Sequence, residues 1–336
     1  MAVGAIAIGG ANAAGGANAV ALLDLLASAG DIAIDGVGGS VDVAADARSK
    51  GTGPGGFANA LAVASLEAAG DVDLFGAKVR AQGQDRQVGA NAAAAGAFLT
   101  ILAGSSVTVW GGGLQATAQA NSPRGAGPGA VGVAEIDVGA HDDITILGNV
   151  TALGGAHGGG TGNTGEAIIN IHAGLGGSGD LTILGNVTAL AVADPVNDHA
   201  LASITLAGNH ILLVGADPVA KAVAGGLSAF RQSHFTTHDS LTGAGGTWAT
   251  ARITITADPG GVIAIDPAAG EPNIDALIAL PIYDQPFPSN ALSVIPLALD
   301  AQPCAVLGEA GAPAATTTAK ACTKPPINVS GFADGP

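Results

Sequence analysis

Aromatic residues, charges and cysteines are all scarce in this 336-residue chain: 3% is Phe, Trp or Tyr, 11% is charged, and the cysteines number two, Cys304 and Cys322. A conventional globular core leans on aromatic rings and large aliphatic side chains. Their shortage excludes a wide core and points to a narrow one filled by Val, Ile, Leu and Ala. With only 11 Lys and Arg and a net charge of −16, nucleic acid is excluded as a partner, because a phosphate backbone is held by clustered basic side chains. A long uninterrupted apolar run is also lacking. Residues 17–30 are broken by Asp24, and residues 90–104 by Asn91, Gly96 and Thr100, short of the ~20 apolar residues a membrane-spanning helix needs. Met1 is followed by no basic segment of the kind that opens a secretory leader. That fits a leader already removed or a start within a longer protein.

What the chain does have is glycine, 54 residues of it, in a sequence that is 48% hydrophobic. Disordered chains are poor in Val, Ile and Leu, whereas here those residues recur at regular intervals. Residues 145–153 read TILGNVTAL, and residues 182–190 read TILGNVTAL again, 37 positions later. Looser copies share a polar residue, alternating apolar residues and a glycine: 31–36, 71–76, 106–111 and 209–215. The marker glycines Gly36, Gly76, Gly111, Gly148, Gly185 and Gly215 lie 40, 35, 37, 37 and 30 positions apart. A period of this size is the signature of a solenoid, propeller or array.

Alternating β-branched runs at 61–63, 98–101, 133–138, 169–171, 204–206 and 253–255 predict a second strand per repeat. Short runs at 150–152 and 187–189 predict a third, and residues 154–165 read as a Gly-rich loop. A propeller blade needs four strands joined by hairpins, so three short strands favour an all-β fold, a right-handed parallel β-helix, over residues 1–270. About seven coils stacked at ~4.8 Å would rise roughly 35 Å. Ile, Val, Leu and Ala are expected inward, with Thr, Asn and Asp in solvent. The marker glycines are expected at the corners, where φ is positive or backbones approach closely. Residues 271–336, proline-rich yet still apolar in places, read as a separate segment that caps or docks. In an exported protein Cys304 and Cys322 would form a disulfide worth ~3 kcal/mol, the alternative being two free thiols.

The coil pattern over about residues 30–266, of the form Gly-Asp-apolar-x-apolar-x-Gly, resembles the filamentous-haemagglutinin-like exoproteins of two-partner secretion. The spacing from Cys304 to Cys322, followed by Asn328, Val329, Ser330 and Gly331, is similar to the paired-cysteine tail of some members. The sequence departs from them in having no secretion-domain Asn-Pro-Asn signature and no basic or aromatic binding face. The resemblance implies a β-helical adhesin at the cell surface or outside the cell.

Other motifs are compatible with that frame. Residues 160–165 and 174–179 both match G-x-G-x-x-G, but a dinucleotide loop must open a helix, and strands are expected after each. Asp31, Asp71, Asp143 and Asp180 share one position of the repeat, with Ser106 and Asn209 in the series. Each is expected to cap its own turn; the alternative is a calcium bridge between coils. Asn149 and Asn186 head Asn-x-Thr triplets, as Asn328 heads Asn-x-Ser, so they read either as a stacked amide ladder or as glycosylation acceptors. His234 and His238, beside Asp239, are the one histidine pair with zinc-like spacing. Asp71, Asp73 and Arg80 are the nearest approach to a polysaccharide-cleaving constellation, and sugar-stacking aromatics are few.

The expectation is therefore a non-enzymatic, secreted structural or adhesive solenoid with no obligatory cofactor. It would form fibres or a stalk, self-associating end to end through residues 5–20 and 277–299, or meet a cell-surface glycan or protein. A polysaccharide-acting enzyme and a calcium-dependent adhesion module are the alternatives.

Overall fold

The computed structural model describes residues 3–11, 16–34, 40–50, 57–85, 92–122, 129–194, 198–215, 218–225, 227–232, 237–266 and 306–309. They form a parallel β-solenoid with no α-helix, and no helix among them is long and apolar enough to cross a membrane. Each coil visits three sheets in turn. The first is narrow, built from three- and four-residue strands such as Ile32–Ile34, Ile144–Leu147 and Leu181–Leu184. The second and third use long strands, for example Val150–Gly158 followed by Thr164–His172. In two coils the first and second sheets share one strand that bends through the corner, Val72–Asp85 and Val107–Ser122.

Register is strict. Ile144, Thr145, Ile146 and Leu147 lie beside Leu181, Thr182, Ile183 and Leu184, so the duplicated TILGNVTAL segments are neighbours one coil apart. The third sheet is 8-stranded, and all its pairings are parallel except the last, in which Thr237–Thr242 runs antiparallel to Trp248–Ala257. Antiparallel partners also close the other two sheets at this end, Leu227–Gln232 on Val219–Ala224 and Val306–Glu309 on Val262–Asp266.

The interior is a wedge. At its wide end the first sheet faces the ends of the other two, and the space is filled by the largest buried side chains, among them Leu74, Ile101, Ile146, Ile169 and Ile183. Away from the first sheet the second and third sheets converge. Their inward positions shrink to alanine and glycine, as in Ala116, Ala118 and Ala120 opposite Ala93, Ala95 and Ala97. A methyl group at Gly154 would overlap the Glu166 carbonyl oxygen, and one at Gly132 the Gly155 carbonyl oxygen. Two sheets that pack through ordinary side chains stand ~10 Å apart; here backbone meets backbone.

This corrects two expectations. The glycine-rich run from 154 is a loop only over residues 159–163: Gly154, Gly155 and Gly158 belong to the strand Val150–Gly158, and Gly165 to Thr164–His172, because only glycine and alanine fit at the narrow end. The inside–outside rule is also reversed along several strands. Ile6 and Ile8 point out with 78% and 81% of their surface exposed, while Ala5 and Ala7 between them face the core. The body is a slab rather than a slender rod. A 12-residue strand such as Phe57–Ala68 spans ~40 Å, whereas the third sheet's stacked rungs rise only ~30 Å.

Candidate interaction faces

Three kinds of side chain sit where function could reside: those at the corners, those along the narrow edge and those on the flat outer faces. At the corner entering the first sheet, the aspartates reach across coils instead of capping their own turns. Asp31 Oδ1 accepts a hydrogen bond from the Asp71 N–H at 2.9 Å, and Asp71 Oδ1 one from the Ser106 N–H at 2.9 Å. Asp143 Oδ1 accepts from the Asp180 N–H at 2.8 Å, and Asp180 Oδ1 from the His210 N–H at 3.1 Å. His210, not Asn209, therefore occupies the equivalent position in its coil; Asn209 adds a side-chain bond to Asp180. These carboxylates tie each coil to the next. Replacing Asp143 by Ala should cost about 1 kcal/mol in a urea melt, and Asp143→Asn, which keeps an acceptor oxygen, clearly less.

Asn149 behaves in the same way. Its Oδ1 accepts from the Asn186 N–H at 2.9 Å, so the expected amide ladder is a side chain bonded to the next coil's backbone. Of the marker glycines, Gly36 lies outside the described residues. Gly185 and Gly215 have positive φ, 148° and 92°. Gly148 is held by its neighbours, since a Cβ there would sit 2.8 Å from the Gly113 nitrogen. Gly76 is required by close approach to the Gly112 backbone at 2.8 Å. Gly111 is a correction: the left-handed residue of that coil is Gly113, with φ 68°.

Along the narrow edge, fully buried Asn163 and Asp198 form a polar turn. Asp198 Oδ1 accepts from the Asn163 N–H at 2.8 Å and from its Nδ2 at 3.1 Å, while Asn163 Oδ1 accepts from the Ala130 N–H at 2.7 Å. Burial raises the Asp198 carboxyl above the ordinary range despite these bonds. No signal in the sequence singled out this pair.

On the outer face of the third sheet, Val20 lies in line with Leu61, Gly96 and Val133, and Leu22 with Val63 and Phe98. The Phe98 ring lies over Gly96, where an added Cβ would come within 2.7 Å of it. One strand further the face changes character. Glu135 and Asp137 sit on one strand and Glu166 on the next, with Asn170 Nδ2 donating to Asp137 at 2.7 Å. The Glu135 carboxyl is raised, first by burial and then by the Asp137 and Glu166 charges. An acid whose folded value is raised stabilises the fold while protonated and loses that contribution as pH rises through the raised value. Glu135→Gln should therefore melt higher than the parent chain at pH 7, with the gap closing below about pH 4; thermal melts across pH check it.

A second apolar line runs down the first sheet. Leu147 and Leu184 are adjacent and Val214 follows, and Trp110 is 57% exposed. The constellation Asp71, Asp73 and Arg80 is not brought together. The Asp71 carboxylate is engaged by Ser106, Asp73 and Arg80 flank the corner at Gly76, and the Arg80 guanidinium pairs with Asp42 at 3.3 Å. Strands, not helices, follow both G-x-G-x-x-G stretches. His238 and Asp239 lie on the strand Thr237–Thr242; their suggested partner His234 lies outside the described residues, as do Cys304, Cys322 and residues 277–299. No known protein family, curated protein or solved structure matches this chain.

Proposed function

We propose that this chain is an extracellular structural or adhesive module that builds a fibre or a surface stalk, with its β-solenoid as the working part. The observation that carries the reading is the parallel register, which stacks coil on coil along all three sheets with one bulge between Leu74 and Gly76, around an interior filled by the chain's own side chains. Such a body offers flat, repetitive surfaces. Inter-coil bonds from Asp71, Asp143 and Asn149 make it stiff along the stacking axis, as a stalk requires. The acidic, Lys-poor composition suits a soluble exported protein, in keeping with the resemblance to two-partner-secretion exoproteins. End-to-end growth would follow an open heterologous contact and give a filament.

Negative-stain electron microscopy of the purified chain at neutral pH, paired with binding to whole cells and immobilised glycans, tests this. Filaments many chain lengths long identify a fibre subunit. Isolated particles that bind a cell surface or a glycan identify a stalk or adhesin module. Isolated particles that bind neither overturn the reading.

A further inference from the structure

We infer that the polar turn at Asp198 is a pH-responsive latch on the narrow edge, which ties neighbouring coils together while the Asp198 carboxyl is neutral and loosens when it ionises. The latch is a property of the solenoid body. It stands or falls separately from the reading of that body as a fibre or stalk.

Asp198 sits where successive rungs are joined. Ala130, Asn163, Asp198 and Thr247 hold equivalent places at the start of the third-sheet strands. The Ala130 carbonyl accepts from the Thr164 N–H at 2.8 Å, the Asn163 carbonyl from the His199 N–H at 2.8 Å, and the Asp198 carbonyl from the Trp248 N–H at 3.0 Å. The buried side chains of Asn163 and Asp198 add the second set of ties already described. The Asn163 amide is fully engaged. Its Nδ2 donates among three acceptors, the Asp194 carbonyl at 3.0 Å, Asp198 Oδ1 at 3.1 Å and the Gly160 carbonyl at 3.3 Å.

The other carboxylate oxygen is left over. Asp198 Oδ2 is buried and has no hydrogen-bond partner, and a buried carboxylate oxygen without a donor is relieved by taking up a proton. A cation fits less well. Among the described residues no group of three or more His, Cys, Asp or Glu side chains could hold a metal ion, calcium takes ~6–8 oxygens, and Asn163 Nδ2 already stands between the oxygens of this turn. Electrostatics favour the proton too. Burial raises the Asp198 carboxyl, the Asn163 and Gly162 N–H groups oppose it, and the Asp194 charge raises it further.

The other ionisable groups of the surrounding strands stand further off. Glu166, Arg252 and Lys221 lie along their strands beside Leu201, Ser203 and Leu190. His157 is next to Asp194, and the His199 ring is stacked on Trp248, centroids 4.8 Å apart. An acid whose folded value is raised contributes stability that is complete below the ordinary carboxyl range and is lost as pH rises through the raised value. Above that value a charged oxygen faces no donor, and the turn opens to hydrate it.

Hydrogen exchange of the full chain from about pH 4 to 8, which spans a raised carboxyl, provides the test, read as protection factors so that the intrinsic pH dependence drops out. Protection at the Asn163 and His199 amides should fall several-fold over this range. The Ile144 amide, bonded to the Asp180 carbonyl at the wide end, should keep its protection. Asp198→Asn, neutral at every pH, should abolish the fall. Asp194→Asn, a change at an exposed side chain, should move the midpoint of the fall to lower pH, and covers the case in which position 198 tolerates no change. Protection that does not vary with pH in the parent chain overturns the inference. So does a fall that persists in Asp198→Asn, or a midpoint that Asp194→Asn leaves in place. Protection restored at pH 8 by added calcium would identify a cation site instead and overturns it as well.

Discussion

Gly154→Ala should destabilise the solenoid by about 2–4 kcal/mol, as over-packing of a closed core does, while Gly155→Ala should leave it within about 0.5 kcal/mol of the parent or slightly more stable. The two glycines are adjacent on one strand and therefore point to opposite faces. The methyl at position 154 would be driven into the Glu166 carbonyl oxygen of the facing sheet. No rotamer change relieves that clash, because both atoms belong to backbone held in parallel ladders on either side. The sheets must part locally, and the alanines packed beside them lose contact. At position 155 the nearest atoms are 3.8 Å and 4.0 Å away, the Ala118 oxygen and the Gln119 side chain, an ordinary outward contact. Replacing glycine within a strand also removes an entropy cost of about 0.5–1 kcal/mol. Urea denaturation followed by circular dichroism measures both variants. Equal midpoints would show that the second and third sheets do not touch at the narrow end.

Ile146→Ala should cost about 2–5 kcal/mol, the usual range for emptying a buried aliphatic site, whereas Thr145→Ala beside it should change little. Ile146 is fully buried and lies between Val109 and Ile183 of the flanking coils. Backbone on all three sides of the wide end is fixed by inter-coil bonds, so little collapse into the cavity is available. In a stacked array the loss is felt mainly by nearest neighbours. Hydrogen exchange should accelerate at Leu181–Leu184 and the start of Val107–Ser122, while Ala17–Ala27 at the far end keeps its protection. Uniform acceleration along the whole chain would instead mean that the coils unfold as one unit.

The strands, their grouping in threes and their parallel stacking were legible in the chain itself. The repeated TILGNVTAL segments and the glycine spacing carry them, because period-two alternation and a coil-length repeat are local properties of sequence. Ile144, Ile146, Ile169 and Ile171 face inward as expected, but which way the alanine-rich strands face was not legible. Alternating Ala and Ile at residues 5–8 reads naturally with isoleucine inside, and the opposite holds, because the separation of the two long sheets is set by both sheets together. The same reason turned the 154–158 glycines from loop into strand and placed Val20, Leu22 and Phe98 outside. The corner aspartates were visible as a series, but their partners lie 35 to 40 residues away, beyond what spacing within one coil reveals. Sequence alone thus determined that this protein is a β-solenoid, through hydrophobic period and repeat length. Only the tertiary structure decided the wedge-shaped interior and the apolar outer face, because both follow from how closely two backbones approach.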